Sequence, residues 1–208
     1  LVMILAKYFS RRHVEIRDIK HIFISGLYAF IPFVLILLQP DFGSAMVIFL
    51  IWFGMVLVSG ISKKHLFAVI AAGALLFAFF WMFIFAPYQK ARNSNFLNPL
   101  ADIHGSGYNA LQSTIAVGSG QMTGKGYKKG TQSQGNFIPE QHTDFIFSVF
   151  AEEWGFFGAM VLLTAYLSYI IAGSRAVLRA RDKFEILLAF GMVMLMFWHV
   201  FINIGMVS

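Results

Sequence analysis

Between Gly118 and Gly155 the chain reads GSGQMTGKGYKKGTQSQGNFIPEQHTDFIFSVFAEEWG, and most of its chemically capable residues gather there. After Pro139, three ionisable side chains stand at alternate positions: Glu140, His142 and Asp144. A carboxylate so placed can take a proton from a hydroxyl as a general base. Glu140, His142 and Asp144 together can also hold a divalent cation such as magnesium or manganese. A plainer role exists for Thr143 or Asp144. Short oxygen side chains accept the free N–H groups of a first helical turn, and FIFSVF begins a helix. Spacing alone favours the cap, and the two roles can coexist.

Glu152 and Glu153 lie in an apolar helical stretch. Ionisable groups at membrane depth are costly and are paired or functional; an exposed pair at the interface is the alternative. Lys and Arg are absent between Gly130 and Ser174, so a cationic partner for Glu152 must come from elsewhere in the fold. The Gly-rich half, 118–130, is not a phosphate loop: a Walker A motif needs Gly at 119 and Ser or Thr at 126, where Ser and Gly stand. It is either a flexible surface loop or a mobile substrate loop in which Lys125, Lys128 and Lys129 meet phosphates as point charges. Upstream, Gln39-Pro40-Asp41-Phe42-Gly43 is a turn, with Asp41 placed to cap the next helix. His199 and Asn203, four apart, share a helical face and read as an interior hydrogen-bonding stripe.

These residues are embedded in hydrocarbon. Of 208 residues, 58% are hydrophobic and 12% charged, with a mean hydropathy of +0.70; a soluble domain carries about a quarter charged residues. Apolar runs long enough to cross a bilayer predict an all-α, polytopic transmembrane helix bundle. Spans are expected at 22–39, 44–59, 66–86, 144–171 (with a break near Gly155) and 187–207, after a partial helix at 1–9. A kink is expected at Pro32. The segment 87–143 is expected to be a long extracytoplasmic loop, with a short helix at Tyr108–Val117. There is no cysteine, which excludes disulfides and Cys-based metal or nucleophile chemistry.

Charge placement sets topology. Eleven of the sixteen Lys/Arg fall at 7–20, 63–64 and 175–183, all on one side of the predicted membrane, which the positive-inside rule assigns to the cytoplasm. The other five, Lys90, Arg92, Lys125, Lys128 and Lys129, lie in the long outer loop. The net charge of +6 is thus accounted for without nucleic acid. Asp41, Glu140, Asp144 and Glu152 are expected on the outer side. The chain starts at Leu1 without a leader pattern and ends in an apolar run, and is expected to be an internal piece of a larger membrane protein.

In chain order, QPDFGSA, YQKAR, FLNP, GYNALQSTIAVGSGQMTGKGYKKGTQSQ and FIPEQHTDFIFSVFAEEWGFFG resemble the SEDS family (shape, elongation, division and sporulation), more its RodA elongation branch than its FtsW division branch. The resemblance covers essentially the whole chain, as one membrane domain truncated at both ends. It implies a ten-helix protein of the bacterial inner membrane. On the extracytoplasmic face this protein polymerises lipid II into peptidoglycan glycan strands, working with a class B penicillin-binding protein in elongation and cell-shape control. The family's essential acid in His-Thr-Asp-Phe falls on Asp144, and its second functional Asp, in Gln-Pro-Asp, on Asp41. Glu140, His142, Lys125, Lys128, Arg92, Gln132 and Glu152 are the supporting candidates. The family's Ser-Glu-x-x-Lys and Ser-Tyr-Gly-Gly motifs lie outside this sequence. Asn98 stands where Asp is usual, and Asp102-Ile103 where Asp-Pro is usual. The rivals are a lipid II flippase or other transporter, whose ionisable groups would sit near the bilayer midplane, and a non-catalytic scaffold activating a penicillin-binding protein.

Overall fold

The computed structural model describes residues 1–12, 19–39, 41–79, 82, 107–135 and 143–205. Apolar runs free of turn residues become helices. In chain order these are α1 (Val2–Arg12), α2 (Ile19–Leu37), α3 (Phe42–Val58), α4 (Lys63–Phe79), α5 (Gly107–Ser119), α6 (Thr131–Gln134), α7 (Ile146–Arg179) and α8 (Lys183–Gly205). No strand occurs among the described residues, as expected of an all-α bundle. Lys20–Leu37, α7 and α8 are long and apolar enough to cross a membrane, while α3 and α4 carry shorter apolar stretches. Pro32 lies within α2, which continues through it. The short helix expected at Tyr108–Val117 is α5.

The chain divides into two compact units, Leu1–Leu75 with Ser168–Val200, and Leu76–Leu167 with Phe201–Ser208. In the first, α2 packs on α3 and α1 touches both. Leu5, Phe9, Ile51, Met55 and Val56 are fully buried there. Lipid is as apolar as these side chains, so helix association rests on close packing and interhelical hydrogen bonds. Both are present. Trp52 Nε1–H donates to Ser25 Oγ at 3.2 Å, and its indole packs beside Gly26. At Gly54 a Cβ would fall 2.7 Å from Met194 Cε of α8. Gly191 of α8 faces Val2 and Met55 in the same way.

The second unit contains α5, α6, the Gly-rich loop between them, the start of α7 and the end of α8. Ala116 of α5 and Phe145, just before α7, form a buried apolar contact. The expected break in α7 is real: Gly155 has φ 66° and ψ −165°, a conformation essentially reserved for glycine.

Candidate functional site

A break in a membrane helix leaves backbone N–H and C=O groups without partners, and lipid offers none. Here the Gly-rich loop supplies them. In an unbroken helix, the N–H groups of Phe156 and Phe157 would donate to the carbonyls of Glu152 and Glu153. Instead, Phe156 N–H donates to Gln121 O at 2.9 Å and Phe157 N–H to Met122 O at 3.1 Å. The vacated carbonyls of Glu152 and Glu153 accept from Lys125 N–H and Gly126 N–H, both at 3.0 Å. Residues 121–126 are thus stitched into the α7 ladder, two bonds in each direction.

So close an approach requires small residues. A Cβ at Gly124 (φ 79°) or Gly120 would collide with the α7 backbone at Glu153 or Ala151. Gln121 and Lys128 take positive φ of 48° and 57°, which costs a non-glycine residue about 1 kcal/mol or more.

The loop then closes over Glu152, whose side chain is fully buried. Its Oε1 accepts Gln132 N–H at 2.9 Å and Lys125 Nζ at 3.0 Å, with Thr131 Oγ1 at 3.3 Å. Its Oε2 accepts Ser133 N–H at 3.1 Å. Lys125 Nζ also donates to Thr131 Oγ1 at 2.6 Å. Gly130 comes close enough that a Cβ would fall 2.6 Å from Oε2. A buried carboxylate is tolerated when donors surround it and a cation pairs with it, and Glu152 has both. Lys125 is therefore the partner that the sequence required from elsewhere. Next to it, Glu153 Oε1 accepts Lys128 N–H at 3.1 Å.

Asp144 occupies a different corner. It lies in the turn 143–145 and is partly buried. Phe145 O accepts the N–H groups of Ser148 and Val149 at 3.0 and 3.3 Å, so Phe145 stands at the cap position and Asp144 one residue outside it. No described residue donates a hydrogen bond to the Asp144 carboxylate. Asp144, one of the two residues that spacing offered as a cap, makes no capping hydrogen bond among the described residues.

The other expected residues fall as follows. Asp41 belongs to the first unit and caps α3, accepting Ser44 N–H at 3.0 Å. Lys128 is exposed, its Nζ 5.5 Å from its neighbour Tyr127's ring centre, whereas Lys125 is committed to Glu152. Gln132 contributes its backbone N–H to Glu152, and its side-chain Oε1 is buried without a hydrogen bond. Arg92, Lys90, Glu140 and His142 lie outside the described residues. Among the described residues, no three His, Cys, Asp or Glu gather as a metal site. Sequence reasoning undervalued Asn203. Its Nδ2 donates to Thr143 O and Asp144 O at 3.1 and 3.2 Å, whereas His199 bonds back to Leu195 O of its own helix at 3.0 Å.

The chain is 38% identical over 200 residues to the peptidoglycan glycosyltransferase MrdB of Escherichia coli strain K12, covering 96% of this chain and 54% of that protein. It is 34% identical over 216 residues to the probable peptidoglycan glycosyltransferase FtsW of Haemophilus influenzae, covering 99% and 52%. The chain therefore spans about half the length of these curated relatives. Its fold matches a chain of a solved peptidoglycan synthase complex with a TM-score of 0.76 at 28% identity, covering 99% of this chain and 56% of the other. The family model for FtsW, RodA and SpoVE cell cycle proteins matches residues 1–208, and the chain belongs to that family.

Proposed function

We propose that the protein of which this chain is part polymerises lipid II into glycan strands as a peptidoglycan glycosyltransferase, with Asp144 as its general base. The observation that carries this reading is the Asp144 carboxylate, partly buried, at the head of a membrane helix and engaged by no described residue. Two relatives named as peptidoglycan glycosyltransferases support it.

The 4-hydroxyl of one lipid-linked sugar attacks the anomeric carbon of another. The new glycosidic C–O bond forms as the bond to undecaprenyl pyrophosphate breaks, with inversion at the anomeric carbon. Asp144 takes the hydroxyl proton. The departing pyrophosphate needs positive charge; exposed Lys128 suits this better than Lys125, and Arg92 is a further candidate. A divalent cation, magnesium or manganese, held by Glu140, His142 and Asp144 would add to that charge. Asp41 supports the reaction from the outer end of its span. The proposed setting is the bacterial inner membrane, with the site on the extracytoplasmic face and a class B penicillin-binding protein as partner. The neighbouring fold in a peptidoglycan synthase complex supports that partnership.

The test is polymerisation of lipid II by the full-length protein with its partner, set against Asp144→Asn. Loss of a general base lowers the rate about 10²–10⁴-fold, so the folded variant is expected to make almost no glycan. Equal polymer from both would remove Asp144 from the chemistry. Translocation of lipid II in vesicles without polymer would favour a flippase.

A further inference from the structure

The turn bearing Asp144 is gripped from outside its own helix. The Asn203 amide carries two N–H groups, and Nδ2 lies 3.1 Å from Thr143 O and 3.2 Å from Asp144 O. Both acceptors are carbonyls, so the nitrogen side of the amide, not Oδ1, must face the turn. Those carbonyls belong to the two peptide units that flank the Asp144 Cα. The orientation of those two planes defines φ and ψ at Asp144, and φ and ψ set the direction of its Cα–Cβ bond. Immediately after, Phe145 is buried with Ala116 of α5, and its carbonyl starts the α7 ladder. Three consecutive residues are thus anchored while no described residue engages the Asp144 carboxylate.

We propose that Asn203 is a positioning residue for Asp144, fixing the peptide planes on either side of it and thereby the direction in which its carboxylate points. The proposal rests on the reading of Asp144 as the base. A base must meet its proton within hydrogen-bonding reach, and a misplacement of about 1 Å can lower a rate about a hundredfold.

The test uses the full-length protein with its partner and three variants. Asn203→Leu keeps the branched heavy-atom skeleton, with methyl groups in place of the amide, and suits an apolar helix. Asn203→Asp keeps the shape but presents only acceptors. Asn203→Gln keeps both donors one methylene further out. Amide hydrogen exchange across Thr143–Val149 and the kcat and KM for lipid II are measured together. In the Leu and Asp variants, exchange in this segment is expected to rise about tenfold as the local opening free energy falls. In the same variants kcat is expected to fall about ten- to a hundredfold, with KM within about twofold. The Gln variant is expected to recover part of both. Unchanged exchange in both variants overturns the proposal, as does faster exchange with parental kcat, or faster exchange throughout α8 with kcat and KM altered together. Asp144→Asn is assayed alongside. If it polymerises normally, the base reading fails, while the exchange data still judge the grip of Asn203 on the turn.

Discussion

At the scale of single residues, Glu152 and Asp144 are two acids, two helical turns apart along the chain, in opposite conditions. Glu152 is enclosed and surrounded by donors; Asp144 is held by its backbone while no described residue engages its side chain. Removing one partner of a buried ion pair leaves an uncompensated charge and costs about 3–5 kcal/mol. Glu152→Ala and Lys125→Met are each expected to destabilise the purified protein, read as a lower melting temperature, with Lys125→Met costing more because it strands the fully buried Glu152 carboxylate. The double variant should lose less than the sum, because neither charge is then stranded. Parental melting in either single variant would contradict the importance of the pair. The sequence showed that a cationic partner for Glu152 must come from elsewhere, since the next 44 positions from Gly130 hold no Lys or Arg. It did not name Lys125, because that approach depends on the backbone path of a loop. The parts played by Gln132 and Ser133 were hidden for a related reason: each gives Glu152 a main-chain N–H, which every residue but proline has.

At the scale of elements, the exchange of hydrogen bonds around Gly155 joins the loop 121–126 to α7. Gly155→Ala forces a Cβ into the backbone at Met122 and Gly124 and demands a left-handed φ, which costs about 1–3 kcal/mol before the collision is counted. That variant is expected to expose the loop, measured as faster proteolysis at Lys125–Lys129 than in the parent; equal cleavage would show that the seam survives. The helices themselves were legible, because uninterrupted apolar runs admit little else in a membrane. The break at Gly155 was legible too, from one glycine within such a run. What filled the break was not, since backbone pairing between segments about 30 residues apart leaves no periodic trace. Asp144, offered with Thr143 as a cap, stands one position outside it: the ladder begins at the Phe145 carbonyl, and side-chain spacing alone does not fix that register.

At the scale of the whole molecule, the first unit depends on places where side chains are absent. Gly54 and Gly191 let α8 lie against α3 and α1. Leu at either position is expected to separate these helices and lower the yield of monodisperse protein in detergent, whereas Gly60, with open space around its Cα, is not part of any such seam. If Gly54→Leu gives parental yield and melting, close packing there is not limiting. The seam at Gly155 carries a further consequence for biogenesis. Synthesis runs from the N-terminus, so residues 121–126 join the chain before Glu152–Phe157 exist. Until those residues follow, the loop has donors and acceptors but no counterpart, and the helix that completes it must in turn be inserted with its own ladder unfinished. Neither segment reaches its final hydrogen bonding alone. The second unit therefore matures as a joint event between a loop and the membrane segment made after it.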